Sequence, residues 1–398
     1  MHPAGDATIS VSAAFRLSNF YFWYFAFVGV FGTYFALYLQ SLGFAAAEIA
    51  LLMSLQQLVR IVTPFFWGWL ADRLHRRTAI IRITLLLAIG AFPLLFLVTG
   101  YGAMIAVFAL MFSLWSAALP LFEANVIAAV DGDTGRYGYI RVWGSVGFIA
   151  AVLLAGWALD HLPMRSLLWM VLAMLTLAAL ASRALPEHRP ATARATHHDS
   201  IWPILRRPEV IALFASCFLM MAAQGANFVF YSIYMVENGH SKTTVGILWS
   251  VGVIAEIAVF LSLPRLNKRY TPYALFSFSF GVTALRYLLV GWFPASLSMQ
   301  VIAQSFHACT FGIWHAAAMA MLHQWFPPPF GSRGQALYTS LAFGVGGVLG
   351  GVAAGMAWEA IGPAWMFTAT SLLAVTGWLI SRRFVRPRAP PLTSPDLR

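Results

Sequence analysis

The chain has 398 residues, 60% of them hydrophobic and only 10% charged, with a formal net charge of +11. Water-soluble domains carry roughly a quarter charged residues, so this composition excludes one and points to a protein of the bilayer. The basic residues sit in short loops and tails, which argues against nucleic-acid binding. Cys217 and Cys309 lie inside apolar runs and imply no disulfide framework.

Apolar segments follow one another at 17–40, 48–70, 79–99, 103–128, 139–158, 165–184, 209–236, 244–263, 272–291, 296–320, 335–357 and 362–380. A helix of about 20 apolar residues crosses a bilayer, so an all-α protein of twelve transmembrane helices is predicted. Of the 25 Lys and Arg residues, 21 fall on the side of the two termini and two, Arg165 and Lys242, on the other; Arg60 and Arg286 lie within spans. That bias places both termini in the cytoplasm of a plasma membrane, the inner membrane if the source is bacterial.

The chain repeats itself. The stretch SLGFAAAEIALLMS (41–54) aligns with ENGHSKTTVGILWS (237–250) at an offset of 196, with Gly43 on Gly239 and Ser54 on Ser250. GRYGYIRVWGSVGF (135–148) aligns with SRGQALYTSLAFGV (332–345) at 197. Two pseudo-symmetric six-helix bundles, 1–184 and 209–398, follow, with a hydrophilic linker at 185–208 and a cavity between them. His197 and His198 in that linker have no partner ligands nearby, so no metal and no cofactor are expected.

After the second span comes GWLADRLHRR, in which Asp72 stands among Arg73, Arg76 and Arg77 at a helix end that favours cations. An acid beside three bases permits an ion-pair latch. The stretch resembles the signature loop of the major facilitator superfamily through Gly68, Asp72, Arg73, Arg76 and Arg77, with His75 where a second glycine is usual. The resemblance implies a gating loop.

Intramembrane charge is sparse: Arg60, Glu123, Glu256 and Arg286, with Arg141 near the start of span 5 and His307 and His315 in span 10. Ionisable groups at such depth face water or one another and mark a pathway by default. Gln300, Gln304, His307, Phe311 and His315 share a helical face, as do Gln224, Asn227, Tyr231 and Tyr234; Phe27, Phe31, Tyr34 and Tyr38 form an aromatic face on span 1. These faces are expected to line the cavity. Glu123 with Arg141, and Glu256 with Arg286, are candidate charge sets. Desolvation favours the protonated carboxylate and a neighbouring arginine the charged one; a carrier can couple protons to solute through that competition. Arg141 or Arg286 can grip a solute carboxylate with a planar fork, and His307 or His315 can pass protons.

YGYIRVWGSVGFI (137–149), VGILWSVGVIAEI (245–257) and QSFHACTFGIWHAAAM (304–319) resemble the phenylpropionate permease branch of that superfamily, related to lactose-permease-type proton symporters. The resemblance implies substrate binding by Glu123, Arg141, Arg286 and a span 10 histidine, and coupling through Glu256 or that histidine, because no acid follows either histidine in span 10. From the residues together, Tyr34, Gln224, Asn227, Gln304 and His307 join the binding set, and Glu123, Glu256, His307 and His315 the coupling set. The expected function is proton-coupled uptake of a small organic solute, such as an aromatic carboxylate, by a monomer. The alternatives are a sugar or nucleoside symporter, an efflux antiporter, or a non-transporting receptor or scaffold. HExxH, GxSxG and Walker A motifs are absent, so no enzyme is expected.

Overall fold

The computed structural model describes residues 10–131, 133–187, 200–327 and 330–385. His197, His198, Arg189, Arg194 and half of the linker, 188–199, lie outside the described residues, as do the side chains of Arg60 and Pro64. No strand occurs among the described residues.

Besides a short helix at Trp202–Leu205, twelve long helical segments follow the sequence order among the described residues. They are α1 (Val11–Ser41), α2 (Ala46–Leu74), α3 (Arg77–Phe96), α4 (Tyr101–Ala129), α5 (Thr134–His161), α6 (Ser166–Ser182), α7 (Pro208–Glu237), α8 (Lys242–Arg269), α9 (Pro272–Trp292), α10 (297–325), α11 (Gly331–Ile361) and α12 (Pro363–Phe384). Ten of these are long and apolar enough to cross a membrane by themselves. The other two fall short for visible reasons. Helix α6 has 17 residues, and α10 is interrupted at Phe306, where its first segment, Leu297–Ser305, ends; a π-helical stretch at Ala308–Ile313 follows. A second π stretch, Thr339–Gly346, interrupts α11. Helix α4 breaks between Trp115 and Ala118, just ahead of Pro120, which has no N–H to return to Ser116.

The internal repeat survives at the level of single backbone hydrogen bonds. Gly43 and Gly239 both end their helices in the left-handed region, at φ 84° and 88°. Gly43 N donates to the Gln40 carbonyl and Gly239 N to that of Val236; Phe44 N donates to Leu39 and His240 N to Met235. The same 196-residue offset relates each pair.

His75, in the position of the missing glycine, also closes α2 in the left-handed region, at φ 54°. An L-residue there costs about 1–2 kcal/mol, and a β-branched one more. His75→Gly is therefore expected to leave the melting temperature in detergent unchanged or raised, and His75→Val to lower stability by about 1–2 kcal/mol.

Packing separates the two ends of the molecule. One apolar core runs through the first six helices and crosses into α7, α8 and α9 through Tyr231, Tyr234, Val245, Trp249 and Val290. All of these lie toward the end opposite the termini. The termini end of the second bundle has its own core, around Leu213, Phe280, Trp314 and Tyr338. The halves thus meet closely from the end opposite the termini to about mid-span. Glycines make that possible, because in lipid it is close packing rather than water exclusion that joins helices. On α11, a Cβ at Gly355 would lie 2.5 Å from Ala50 Cβ of α2, and one at Gly344 would run into the Ile61 side chain.

Candidate functional site

The carboxylate of Glu123 lies six residues from the end of α4, and Arg141 seven residues into α5. At 1.5 Å per residue both are only about 10 Å from the termini end of their helices. Tyr137, one turn before Arg141, shares its face. Its hydroxyl donates to Glu123 Oε2 at 2.8 Å, and Arg141 Nε stands 3.8 Å from Oε1. The guanidinium lies over the rings of Phe25 and Tyr21, 4.1 and 5.3 Å from their centroids. Both charged side chains remain partly exposed, 25% for Glu123 and 34% for Arg141. Glu123 therefore escapes the cost of bare burial by being paired and near the mouth, rather than deep in the bundle.

Deeper, in the second half, Arg286 on α9 is fully buried. It donates to Thr310 Oγ1 at 2.9 Å and to Gln304 Oε1 at 3.2 Å, and its Nη1 lies 3.3 Å from His307 Nδ1. Among the described residues no carboxylate is within ion-pair distance of it. A guanidinium only donates, so His307 Nδ1 accepts, and the neutral imidazole carries its proton on Nε2. That N–H faces Glu256 Oε2 of α8 at 3.9 Å. The expected set of Glu256 with Arg286 is thus not a direct pair: His307 stands between them.

The polar faces of α7 and α10 turn toward each other and α9 inside the second bundle. Tyr287 donates to Gln224 Oε1 at 2.5 Å, and Gln224 donates to the Thr310 carbonyl at 3.1 Å. Tyr231 donates to Gln300 Oε1 at 3.3 Å and Tyr234 to the Gly291 carbonyl at 2.8 Å. Asn227, fully buried among them, has no hydrogen-bond partner for either side-chain atom among the described residues. Such a group costs about 1–3 kcal/mol and is a place for the polar atom of something bound. At the edge of this network Glu256 and His307 keep 20% and 10% side-chain exposure.

His315 is apart from this chain. Its Nδ1 lies 2.9 Å from the Tyr338 hydroxyl of α11, and its ring is joined to His307 only by stacking through Phe311. Tyr34 lies at the closed end, where its hydroxyl hydrogen is shared between the carbonyls of Val152 at 2.9 Å and Lys242 at 3.0 Å. The aromatic face of α1 packs on α4: Phe31 meets Phe112 and Phe108, and Phe27 meets Trp115. In the loop after α2, Asp72 pairs with Arg77 at 3.5 Å and Arg73 lies over Trp69. Arg76 precedes α3 without capping it, and Gly68 has open space beside it. Glu187 accepts from the N–H groups of Arg77 and Thr78 and from the Thr78 hydroxyl.

Sequence reasoning passed over Tyr137, Thr310 and Tyr287. Each was within reach of a simple signal: one turn before Arg141, one turn after His307, and next to Arg286. Among the described residues no cluster of three or more His, Cys, Asp or Glu is placed to hold a metal ion, and both cysteines are free.

The family model described as "MFS_1 like family" matches residues 14–369. The chain is 28% identical to a maltose permease of Geobacillus stearothermophilus over 85% of this chain and 87% of that one. It is 27% identical to a probable 3-phenylpropionic acid transporter of Escherichia coli, over 93% and 96%. Among solved structures, the nucleoside transporter NupG superposes with a TM-score of 0.80 at 18% identity, covering 94% of this chain and all of that one. Twin six-helix bundles, the loop after α2 and a match over most of its length together place this chain in the MFS_1 like family of major facilitator transporters.

Proposed function

We propose that this protein takes up a small organic solute, such as an aromatic carboxylate, together with protons, by alternating access between its halves, 1–184 and 209–398, joined by 185–208. The arginine bias puts the termini in the cytoplasm, so the state described here is open inward and closed outward. One observation carries the reading: Arg286, a buried cation with no acid in ion-pair reach among the described residues, is linked through His307 to Glu256, a carboxylate at the edge of that network.

A solute carboxylate draws the Arg286 fork toward itself, because two parallel bonds to a charged acceptor are stronger than its bonds to the neutral acceptors His307, Thr310 and Gln304. His307 Nδ1 then loses its donor and becomes free to hold a proton. The Glu256–His307 pair gains one proton as solute binds and returns it as solute leaves. Arg141 and Glu123, nearer the mouth, form the first charged contacts on the open side. The relatives include maltose and nucleoside carriers by name, and unpartnered Asn227 favours a second reading in which a neutral, hydroxyl-rich solute is carried.

Proteoliposomes containing the purified protein, offered labelled aromatic acids, sugars and nucleosides with and without an inward proton gradient, test this reading. Gradient-dependent accumulation of an aromatic acid is expected. Accumulation of sugars or nucleosides alone selects the second reading, and equal uptake with the gradient collapsed rejects coupling.

A further inference from the structure

The closed end is fastened by carboxylates seated on the starts of helices that belong to the opposite half. Asp160, one residue from the end of α5, accepts from the backbone N–H of Lys242 at 2.8 Å and of Thr243 at 2.9 Å, both in the first turn of α8. It also accepts from the Thr243 hydroxyl at 2.6 Å, and Lys242 Nζ stands 4.0 Å away. Across the molecule, Glu359, near the end of α11, accepts from the Ala47 N–H in the first turn of α2 at 3.0 Å. The first N–H groups of a helix have no partner of their own and carry its positive end, so an acid there is doubly favoured.

The two fastenings are counterparts. Ala47 and Thr243 are 196 residues apart, the offset of the repeat, and α5 on α8 maps onto α11 on α2. A third contact lies close to the axis between them: Gln40 of α1 donates to Glu237 of α7 at 2.7 Å, one position beyond Val236, its own counterpart at the offset of 196. Contacts between near-counterparts gather beside a twofold axis.

The fastenings are unequal. Asp160 takes three hydrogen bonds and a nearby ammonium; Glu359 takes one. On the α5–α8 side Tyr34 is also clamped between two glycines. A Cβ at Gly156 would lie 2.5 Å from its hydroxyl, and one at Gly246 would lie 2.6 Å away.

We propose that Asp160 and Glu359 form an unequal double latch that holds this end shut, with the Asp160 side the stronger, and that both bonds to the opposite half break when the molecule turns to face the other way. The proposal rests on the alternating-access reading for its role in a cycle. Its geometry stands without any solute, and so does its test.

Spin labels at Leu162→Cys and Ala295→Cys, both exposed and on opposite halves of this end, in a background with Cys217→Ala and Cys309→Ala, report its opening by pulsed EPR. Wild type is expected to give a dominant short distance. Asp160→Asn is expected to raise the open-to-closed ratio about tenfold, as loss of a charge-assisted cap does. Thr243→Val, which removes one hydrogen bond, and Glu359→Gln, which removes the charge from another, are expected to raise it about threefold, and the double Asp160→Asn/Glu359→Gln variant more than either alone. An unchanged distribution in Asp160→Asn overturns the latch, even when Thr243→Val is the only other variant that folds. A larger opening in Glu359→Gln than in Asp160→Asn overturns the inequality, and a double variant no more open than Asp160→Asn overturns the second bolt. The expected distances in a protein that accumulates no solute would sink the transport reading and leave the latch standing.

Discussion

Glu256→Gln is expected to reduce gradient-driven accumulation of solute from many-fold to none, while counterflow, the exchange of solute across a membrane without net proton movement, stays near the wild-type rate. One proton carried with a monoanion moves no net charge, so the pH gradient drives accumulation; a gradient of about 1.7 pH units supplies roughly 2.3 kcal/mol, enough for about a fiftyfold concentration ratio. A glutamine keeps the size and an acceptor for the His307 N–H but holds no exchangeable proton, so the ratio should fall to about one. Uptake and counterflow lost to the same degree would mean that Glu256 supports folding or binding and has no special part in coupling. His307→Gln offers a check on the geometry. Its amide can accept from Arg286 and donate to Glu256, as the imaginary replacement of the imidazole by an acceptor and a donor requires, so it should keep more counterflow than His307→Ala.

The second large effect is expected at Arg286. Arg286→Lys keeps the charge but replaces a fork that serves His307, Thr310 and Gln304 with a single ammonium. Affinity for an anionic solute is expected to fall by about 30-fold or more, the worth of a charge-assisted bond made in a buried site. Arg286→Met removes the buried charge altogether and leaves Gln304, Thr310 and His307 without their donor. It should bind no anionic solute, yet need not unfold, because exchanging a buried cation for an apolar side chain of similar length relieves its desolvation cost. Isothermal titration of both variants, with thermal melting alongside, separates loss of recognition from loss of fold. Unchanged affinity in Arg286→Lys would remove the arginine from the binding site and leave Arg141 as the cation that meets the solute.

Much of the architecture was legible because the bilayer imposes a simple code. Length and apolarity located the helices, and the offset of 196 that aligned Gly43 with Gly239 reappears as matched left-handed helix ends. The charge pair near the mouth was also legible: Glu123 and Arg141 do meet. What one-dimensional spacing could not supply was depth and phase. Glu123 stood in the second half of an apolar run predicted to end at 128, and it lies near the end of α4, but the break of α4 beyond Trp115 was not read from the spacing. The π stretch after His307 changes which residues share a face of α10, so His315 turns to Tyr338 while His307 joins Arg286. Contacts between the halves were beyond reach for another reason. Asp160 and Lys242 are 82 residues apart, and only the closing of two bundles brings an acid at one helix end to the start of another. Tyr34 reads as a cavity residue by its stripe and lies instead under the latch.

The tie between Arg286 and Glu256 through His307 is tested most directly by counting protons. Solute is titrated calorimetrically into the detergent-solubilised protein in buffers of different ionisation enthalpy, which gives the number of protons taken up per solute bound. About one is expected for wild type and about zero for Glu256→Gln. Zero protons in wild type, or the same number in both proteins, would contradict the account.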